Sequence, residues 1–221
     1  MSNYDVNYYE PQSVEWLAAR MNFVTATEVA ALFGLNKYTS PLQLQKDKLM
    51  PKEAINNQYI RMGKILEDAV LKAFDVDLGI KAQPIHSNKV VIYNLKDVKL
   101  SATPDGVFEH GDKKGLVECK STSIKNFMTW EIEPPISYVL QCHAQLLCTG
   151  EEHNLLGCLA TSAPMDFTAY HIKRDDEVNS LLIEEVNRFW ECMHNEERFK
   201  VNTKHKQRIQ EILPSTYKFL Y

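Results

Sequence analysis

The segment Ala102-Thr-Pro104-Asp105-Gly106 is followed, after a short apolar run and a polar turn, by Gly115-Leu-Val-Glu118-Cys119-Lys120. Side chains alternate faces along a strand, so Glu118 and Lys120 share one side and Cys119 points to the other, where it packs as a small hydrophobe. Gly106 lets the chain turn sharply after Asp105, and a hairpin to the next strand could bring that carboxylate beside Glu118. Two close carboxylates repel, so either one proton is kept or a cation enters, and oxygen donors favour a hard divalent ion, magnesium or manganese. Such an ion lowers the pKa of a bound water, polarises a phosphoryl oxygen and neutralises charge on a leaving group. Lys120 would orient that water or help deprotonate it, and stabilise the developing negative charge. These are the requirements of phosphodiester hydrolysis. The competing reading is an ordinary hairpin with Asp105 as a turn residue and Glu118 and Lys120 on a solvated face, since Glu-x-Lys and Asp-Gly are both common.

A second group precedes the first. Thr25-Ala-Thr27-Glu28 has the form of a capping box opening a helix, with Arg20 at the end of the helix before it. A helix N-terminus offers unpaired amide donors and partial positive charge, so Thr25 and Thr27, with Arg20 across from them, could grip a phosphate. Alternatively, Thr25 only caps its helix and Arg20 is a surface charge.

These residues need elements to hold them. Helical spacing is expected over residues 13–34, divided near 22–25 and stopped by Gly34, and Ser40-Pro41 opens a short helix towards Pro51. The longest helix is expected over 57–78, where Ile60, Ile65, Leu66, Ala69, Val70, Ala73 and Phe74 recur before Gly79. Short β-rich runs follow at 90–93, 98–102, 106–108 and 116–119, with 110–115 as the turn between the last two. Residues 136–148 then read as a helix stopped by Gly150, 155–161 and 167–172 as strands, and 177–197 as a closing helix, with a loop at Pro134-Pro135 and no internal repeat. The order implies an α/β (α+β) fold, a mixed sheet with helices packed on it.

A chain of 221 residues with 44% hydrophobic and 24% charged residues can build one sizeable core, so residues 1–221 are expected to form a single domain. The formal charge of −4 argues mildly against indiscriminate nucleic-acid binding, although acidic ligands lower the sum while a local basic groove can still focus field. Five cysteines without a Cys-x-x-Cys spacing read as reduced thiols. No apolar run approaches a membrane span and no signal segment opens the chain, so a cytoplasmic location is expected.

The chain resembles the lambda exonuclease and YqaJ-like viral recombinase family in four blocks that occur in the family's order. They are Arg20-Met-Asn-Phe-Val-Thr25-Ala-Thr27-Glu-Val, Gly63-Lys-Ile-Leu-Glu67, the Pro104-Asp105-Gly and Glu118-Cys119-Lys120 pair, and Tyr138-Val-Leu-Gln141-Cys-His143-Ala-Gln145. Together they span about residues 16–150 and leave the last third uncovered. In the first block Thr27 stands where serine is common, and His143 stands where the family often has another glutamine; it is read as a neutral packing histidine.

The resemblance implies a restriction-endonuclease-like core, a central mixed sheet flanked by helices, of the kind built around a Pro-Asp and Glu-x-Lys signature. It also implies Mg²⁺, with Mn²⁺ able to substitute, held by Asp105, Glu118, the nearby Glu67 and the backbone carbonyl of Cys119. Lys120 and Gln141 would serve catalysis, while Arg20, Thr25 and Thr27 would hold a 5′ phosphate, with helices at about 13–50 forming part of that end site. Lys37, in the turn after Gly34 beside Tyr38, would touch DNA. The implied activity is 5′-to-3′ digestion of double-stranded DNA ends, releasing 5′-mononucleotides and leaving 3′ overhangs for phage-type recombination. The implied assembly is a homotrimeric ring with a single-strand annealing recombinase as partner, encoded by a phage or prophage in a bacterial host. The alternatives are an endonuclease of the same superfamily and a DNA-end-binding module without catalysis. An iron-sulfur variant is disfavoured because the earliest cysteine is Cys119.

Overall fold

A computed structural model describes residues 4–50, 58–86, 88–95, 97–162 and 165–220. Pro51 and the expected helix start at residue 57 lie outside the described residues. The chain runs β1 (Tyr4–Tyr9), α1 (Val14–Met21), β2 (Val24–Thr25), α2 (Val29–Leu32), α3 (Pro41–Leu49), α4 (Gln58–Leu78), β3 (Lys81–Pro84), β4 (Val90–Leu95) and β5 (Leu100–Ala102). It continues through β6 (Gly106–His110), β7 (Lys113–Thr122), α5 (Ile124–Trp130), α6 (Ile136–Thr149), β8 (His153–Ala160), β9 (Phe167–Lys173), α7 (Asp176–His194), α8 (Thr203–Ile212) and β10 (Tyr217–Leu220).

Two sheets form where the sequence predicts one. A six-stranded sheet has the order β10-β9-β8-β7-β6-β3, and a four-stranded sheet the order β1-β4-β5-β2. Each is mixed, because β7 pairs in parallel with β8 and β2 with β5 while the other pairs are antiparallel. The β7–β8 pair is parallel because α5 and α6 form its crossover. Helices flank the sheets, as expected. The expected start and stop signals also act: Ser40 accepts from the Gln43 amide at 3.1 Å with Pro41 opening α3, and Gly150 ends α6 with φ 76°.

Helix α4 lies on one face of the large sheet, with Val70, Leu71 and Phe74 packed against Val117, Leu155, Leu159 and Ala169. A Cβ on Gly157 would stand 2.6 Å from the Phe74 ring, so glycine lets α4 press onto the sheet and fixes the height of Glu67 above it. Gly106 is also a matter of space. The sequence assigns it a sharp turn, but it is the first residue of β6 and is not among the glycines with positive φ. A Cβ there would come within 2.7 Å of the Gln83 carbonyl oxygen and 2.8 Å of Leu71. Helix α6 covers the opposite face, and every residue from Val139 to Thr149 is buried between that face, α2, α7 and the smaller sheet.

Thr25 does not open a helix. Its backbone is extended in β2, where Val24 and Thr25 pair with Leu100 and Ser101, and the Ala26 amide donates to the Ser101 carbonyl at 2.8 Å. The ladder holds the backbone on both sides of Thr25 extended, and the Glu28 amide donates to the Thr25 carbonyl at 2.8 Å rather than to its side chain. Half of the capping box survives, with the Thr25 amide donating to Glu28 Oε2 at 2.8 Å, and the helix begins only at Val29. The elements β1, β3, α5, α8 and β10 were not signalled. Helix α8 buries only Ile209 and Ile212, and the edge strands β1 and β3 contain no fully buried residue, so neither period stands out. Among the described residues no helix is long and apolar enough to cross a membrane, and all five cysteines are free thiols.

His143 packs as the sequence predicts. It is fully buried in α6, its Nε2 shares a 2.9 Å hydrogen bond with Thr216 Oγ1, and burial pulls its pKa down to about 4. The unfolded chain therefore binds a proton below the ordinary histidine range that the folded chain refuses, so stability falls as pH drops from about 6.5 towards 4. Between about pH 7 and 5 this histidine should cost about 2 kcal/mol, and His143→Gln should remove that part of the loss in denaturant melts. An unchanged pH slope in the variant would refute the assignment.

Candidate active site

The β6–β7 hairpin builds the centre. Gly106 pairs with Val117, and the Asp105 amide donates to the Val117 carbonyl at 3.1 Å, which sets Asp105 across from Glu118. Asp105 Oδ2 accepts from the Cys119 amide at 2.8 Å. Glu118 and Lys120 project from β7 towards α6, whereas the buried Cys119 thiol packs on the α4 side.

Glu118 is only 2% exposed and every visible partner is a donor. Its Oε1 accepts from Lys120 Nζ and from Gln141 Nε2, and its Oε2 accepts from Gln145 Nε2 at 2.5 Å. Gln145 Oε1 in turn accepts from Asn154 Nδ2 at 2.7 Å, with both residues fully buried. The chain Asn154 to Gln145 to Glu118 therefore fixes the carboxylate's orientation from behind. The sequence reading quoted Gln145 without giving it a role and missed Asn154. The signal was present in the one-turn spacing of Gln141 and Gln145, which places both amides on one face of α6.

Charge at the centre is unbalanced. Burial, then the charge of Glu118, hold the Asp105 carboxyl well above its usual range, with Glu67 adding to the effect and Lys120 opposing it. Glu67, reaching in from α4, is raised by burial despite its 2.5 Å bond from Lys64, and Glu118 adds to the rise. Lys120 is opposed by burial, but Glu118 and Asp105 outweigh it and raise its pKa above the ordinary lysine value. It is an ammonium, 4.9 Å from the Tyr138 ring, suited to orienting and stabilising charge rather than to removing a proton. Among the described residues no three histidine, cysteine or acidic side chains stand together as a ready cage. The donors that do converge are carboxylate oxygens with excess negative charge, a chemistry that fits a hard divalent cation.

The second group lies in the same hollow. A cavity of about 890 Å³ is lined by Arg20, Thr25 and Thr27 as well as by Glu67, Asp105, Glu118, Cys119, Lys120 and Gln141. Arg61 and Lys64 add cationic groups to its wall. Thr25 Oγ1 and Thr27 Oγ1 are 2.9 Å apart, and the Arg20 guanidinium lies 4.9 Å from the Trp16 ring centre. One residue absent from the sequence reading, Lys48, holds this group together. Lys48 donates to Glu28 Oε2 at 2.7 Å and to the Arg20 carbonyl at 2.9 Å, tying α3 to α1 and to the β2 turn. Lys37 is exposed in the turn after α2 and does not line the cavity.

Residues 15–152 match the family model of the YqaJ-like viral recombinase domain. A Bacillus subtilis (strain 168) relative, the uncharacterised protein YqaJ, is 28% identical over 179 residues, which cover 80% of this chain and 54% of that protein. The chain thus spans about half the length of this curated relative. Among solved structures, an alkaline exonuclease from Laribacter hongkongensis superposes with a TM-score of 0.66 at 23% identity, covering 91% of this chain and 100% of that one. The same exonuclease in complex with dAMP gives 0.64 at 21% identity, with the same coverage. A phage-related exonuclease from Haemophilus somnus 129PT gives 0.53 at 14%, covering 86% of this chain and 96% of that one. At these identities the likeness establishes a restriction-endonuclease-like fold. With the family match extending over more than half of its length, this chain belongs to the YqaJ-like viral recombinase domain family.

Proposed function

We propose that residues 1–221 are one nuclease domain, a divalent-metal-dependent exonuclease that digests double-stranded DNA from its 5′ ends. One observation carries this reading: a single cavity joins an over-charged carboxylate centre carrying an ammonium to a basic and hydroxyl-lined wall. The exonuclease fold of the structural relatives, one of them holding dAMP, a mononucleotide, supports it.

Asp105 and Glu118, with Glu67 and the Cys119 carbonyl, would hold Mg²⁺, for which Mn²⁺ should substitute. Bound there, the ion supplies Lewis acidity and an acidified water for phosphodiester hydrolysis. Gln145 and Asn154 keep the Glu118 carboxylate in one orientation, and Gln141 fixes its other edge. Lys120 keeps its proton and meets charge developing on the phosphoryl oxygens. Arg20, Thr25 and Thr27 hold the 5′ phosphate, so the bond presented to the carboxylates is the one nearest the end, and Lys37 touches the duplex outside the cavity. The products are 5′-mononucleotides and a 3′ single strand, the substrate of an annealing recombinase. The assembly is a homotrimeric ring, and light scattering should give a mass near three chains of 25.5 kDa; a strict monomer would remove the ring.

The test is digestion of linear duplex with phosphorylated or unphosphorylated 5′ ends, beside a closed circle, in Mg²⁺ and then in EDTA. Linear DNA should disappear only with metal, and the circle should persist. Nicking of the circle would make the protein an endonuclease, and binding without turnover a DNA-end module. Arg20→Gln should lower the preference for phosphorylated ends by about 10- to 100-fold, the worth of a charge-assisted hydrogen bond. Retained preference would remove Arg20 from the end site.

A further inference from the structure

The face of the six-stranded sheet that carries α4 does not end where the helix does. Alternation along the strands continues that face into His110 on β6, Lys113 on β7, His153 on β8, His171 and Lys173 on β9 and Lys218 on β10. The register confirms the grouping: Lys113 pairs with His110, His153 with Lys173, and His171 with Lys218. None of the six is acidic, in a chain whose formal charge is −4. The two central imidazoles are joined, with His171 Nε2 3.1 Å from His153 Nδ1. After burial, the influences that lower His171 come from the neighbouring His153 and from Lys113, Lys218 and Lys173, so the three lysines stand around His171 in space. Burial and these neighbours hold His171 down to about 4, so the centre of the group offers a neutral imidazole with ammonium groups around it.

This surface is separate from the cavity, because Glu118 and Lys120 pair with Leu156 and Cys158 on the opposite face. From β7 to β10 it crosses three interstrand steps, about 14 Å at about 4.8 Å each. A protein partner normally needs an apolar or aromatic anchor at the centre of its interface, and these six positions supply none. A row of point charges and imidazole donors without an anchor recognises a phosphate chain, where affinity is electrostatic and independent of sequence.

We propose that this basic row on β6–β10 is a second DNA-binding surface, gripping the phosphate backbone away from the cleft. It rests on the nuclease reading for the identity of the polyanion. In the test, the full chain in EDTA is titrated by fluorescence anisotropy against a duplex of about 30 base pairs closed at both ends by hairpins, over a range of salt. A substrate without ends bypasses the end site. Lys113→Glu combined with Lys173→Glu and Lys218→Glu should weaken binding at least about 10-fold and flatten the log–log salt slope by about 3, close to 0.9 per lost phosphate contact. The glutamine triple variant should show the same change in slope with a smaller loss of affinity. Both should melt like the wild type and digest a short linear duplex at the wild-type rate. Unchanged affinity and slope in both triple variants would overturn the proposal. So would poly-glutamate displacing the duplex at equal charge concentration, which would indicate an acidic protein partner. Failure of every protein to digest linear DNA, with the difference in binding intact, would sink the exonuclease reading and leave this surface standing.

Discussion

Lys120→Met should lower turnover of linear duplex DNA by about 100- to 1,000-fold, the usual loss when a preorganised group facing transition-state charge is removed. The substitution keeps the length of the aliphatic stem, so packing over Tyr138 survives while the ammonium is lost. The same change should cost stability, because Glu118 is 2% exposed and, among the described residues, Lys120 is the cation paired with it. Breaking a buried pair on one side costs about 3 kcal/mol or more. Glu118→Gln separates the two effects. It removes one charge from a crowded centre yet sets an amide against the donors Gln141 and Gln145, so activity should be lost with a smaller loss of stability. Wild-type turnover in Lys120→Met, measured with saturating Mg²⁺, would show that the ammonium is a structural counter-charge and that another group meets the reacting phosphate.

Adding Mg²⁺ or Mn²⁺ should raise the melting temperature by about 5–10 °C at a hundred times the dissociation constant, from about 2.7 kcal/mol of linkage in a chain of this size. EDTA should reverse the shift and abolish digestion. The pH dependence follows from the direction of the shifts. Asp105 and Glu67 have folded pKa values above their unfolded ones, so their contribution is complete below the ordinary carboxylate range and is lost as pH rises through the folded values. Without metal, these two groups make the fold less stable towards neutral pH. With metal that slope should flatten or reverse, because binding needs both carboxylates ionised. Asp105→Asn should weaken the metal response while leaving the apo fold as stable or more so. A melting temperature indifferent to both ions would remove the carboxylate centre as their site.

The candidate site was legible early because it is written in residue types and short spacings. Alternation alone sends Glu118 and Lys120 to one face of β7, and the one-turn spacing of Gln141 and Gln145 sends both amides to one face of α6. The long helix α4 and its stop at Gly79 follow from apolar periodicity, which acts within a few residues. Of the smaller sheet, β4 and β5 were legible, but β1, β2 and the separation from the larger sheet were not. Val24 and Thr25 carry the marks of a helix start, and only pairing with β5, about 75 residues later, makes them extended.

The amino-acid sequence by itself determined which groups could do chemistry, most of the helices and strands that carry them, β2 excepted, and the family, since all of these depend on identity and local spacing. The tertiary structure alone decided that Arg20, Thr25 and Thr27 share one cavity with Asp105 and Glu118. It decided also that Asn154 steadies Glu118 through Gln145, and that lysines from β7, β9 and β10 gather around His171. The physical reason is range: hydrogen bonds and Coulomb forces act over a few ångströms, and only the folded sheet brings groups distant in the chain within that reach.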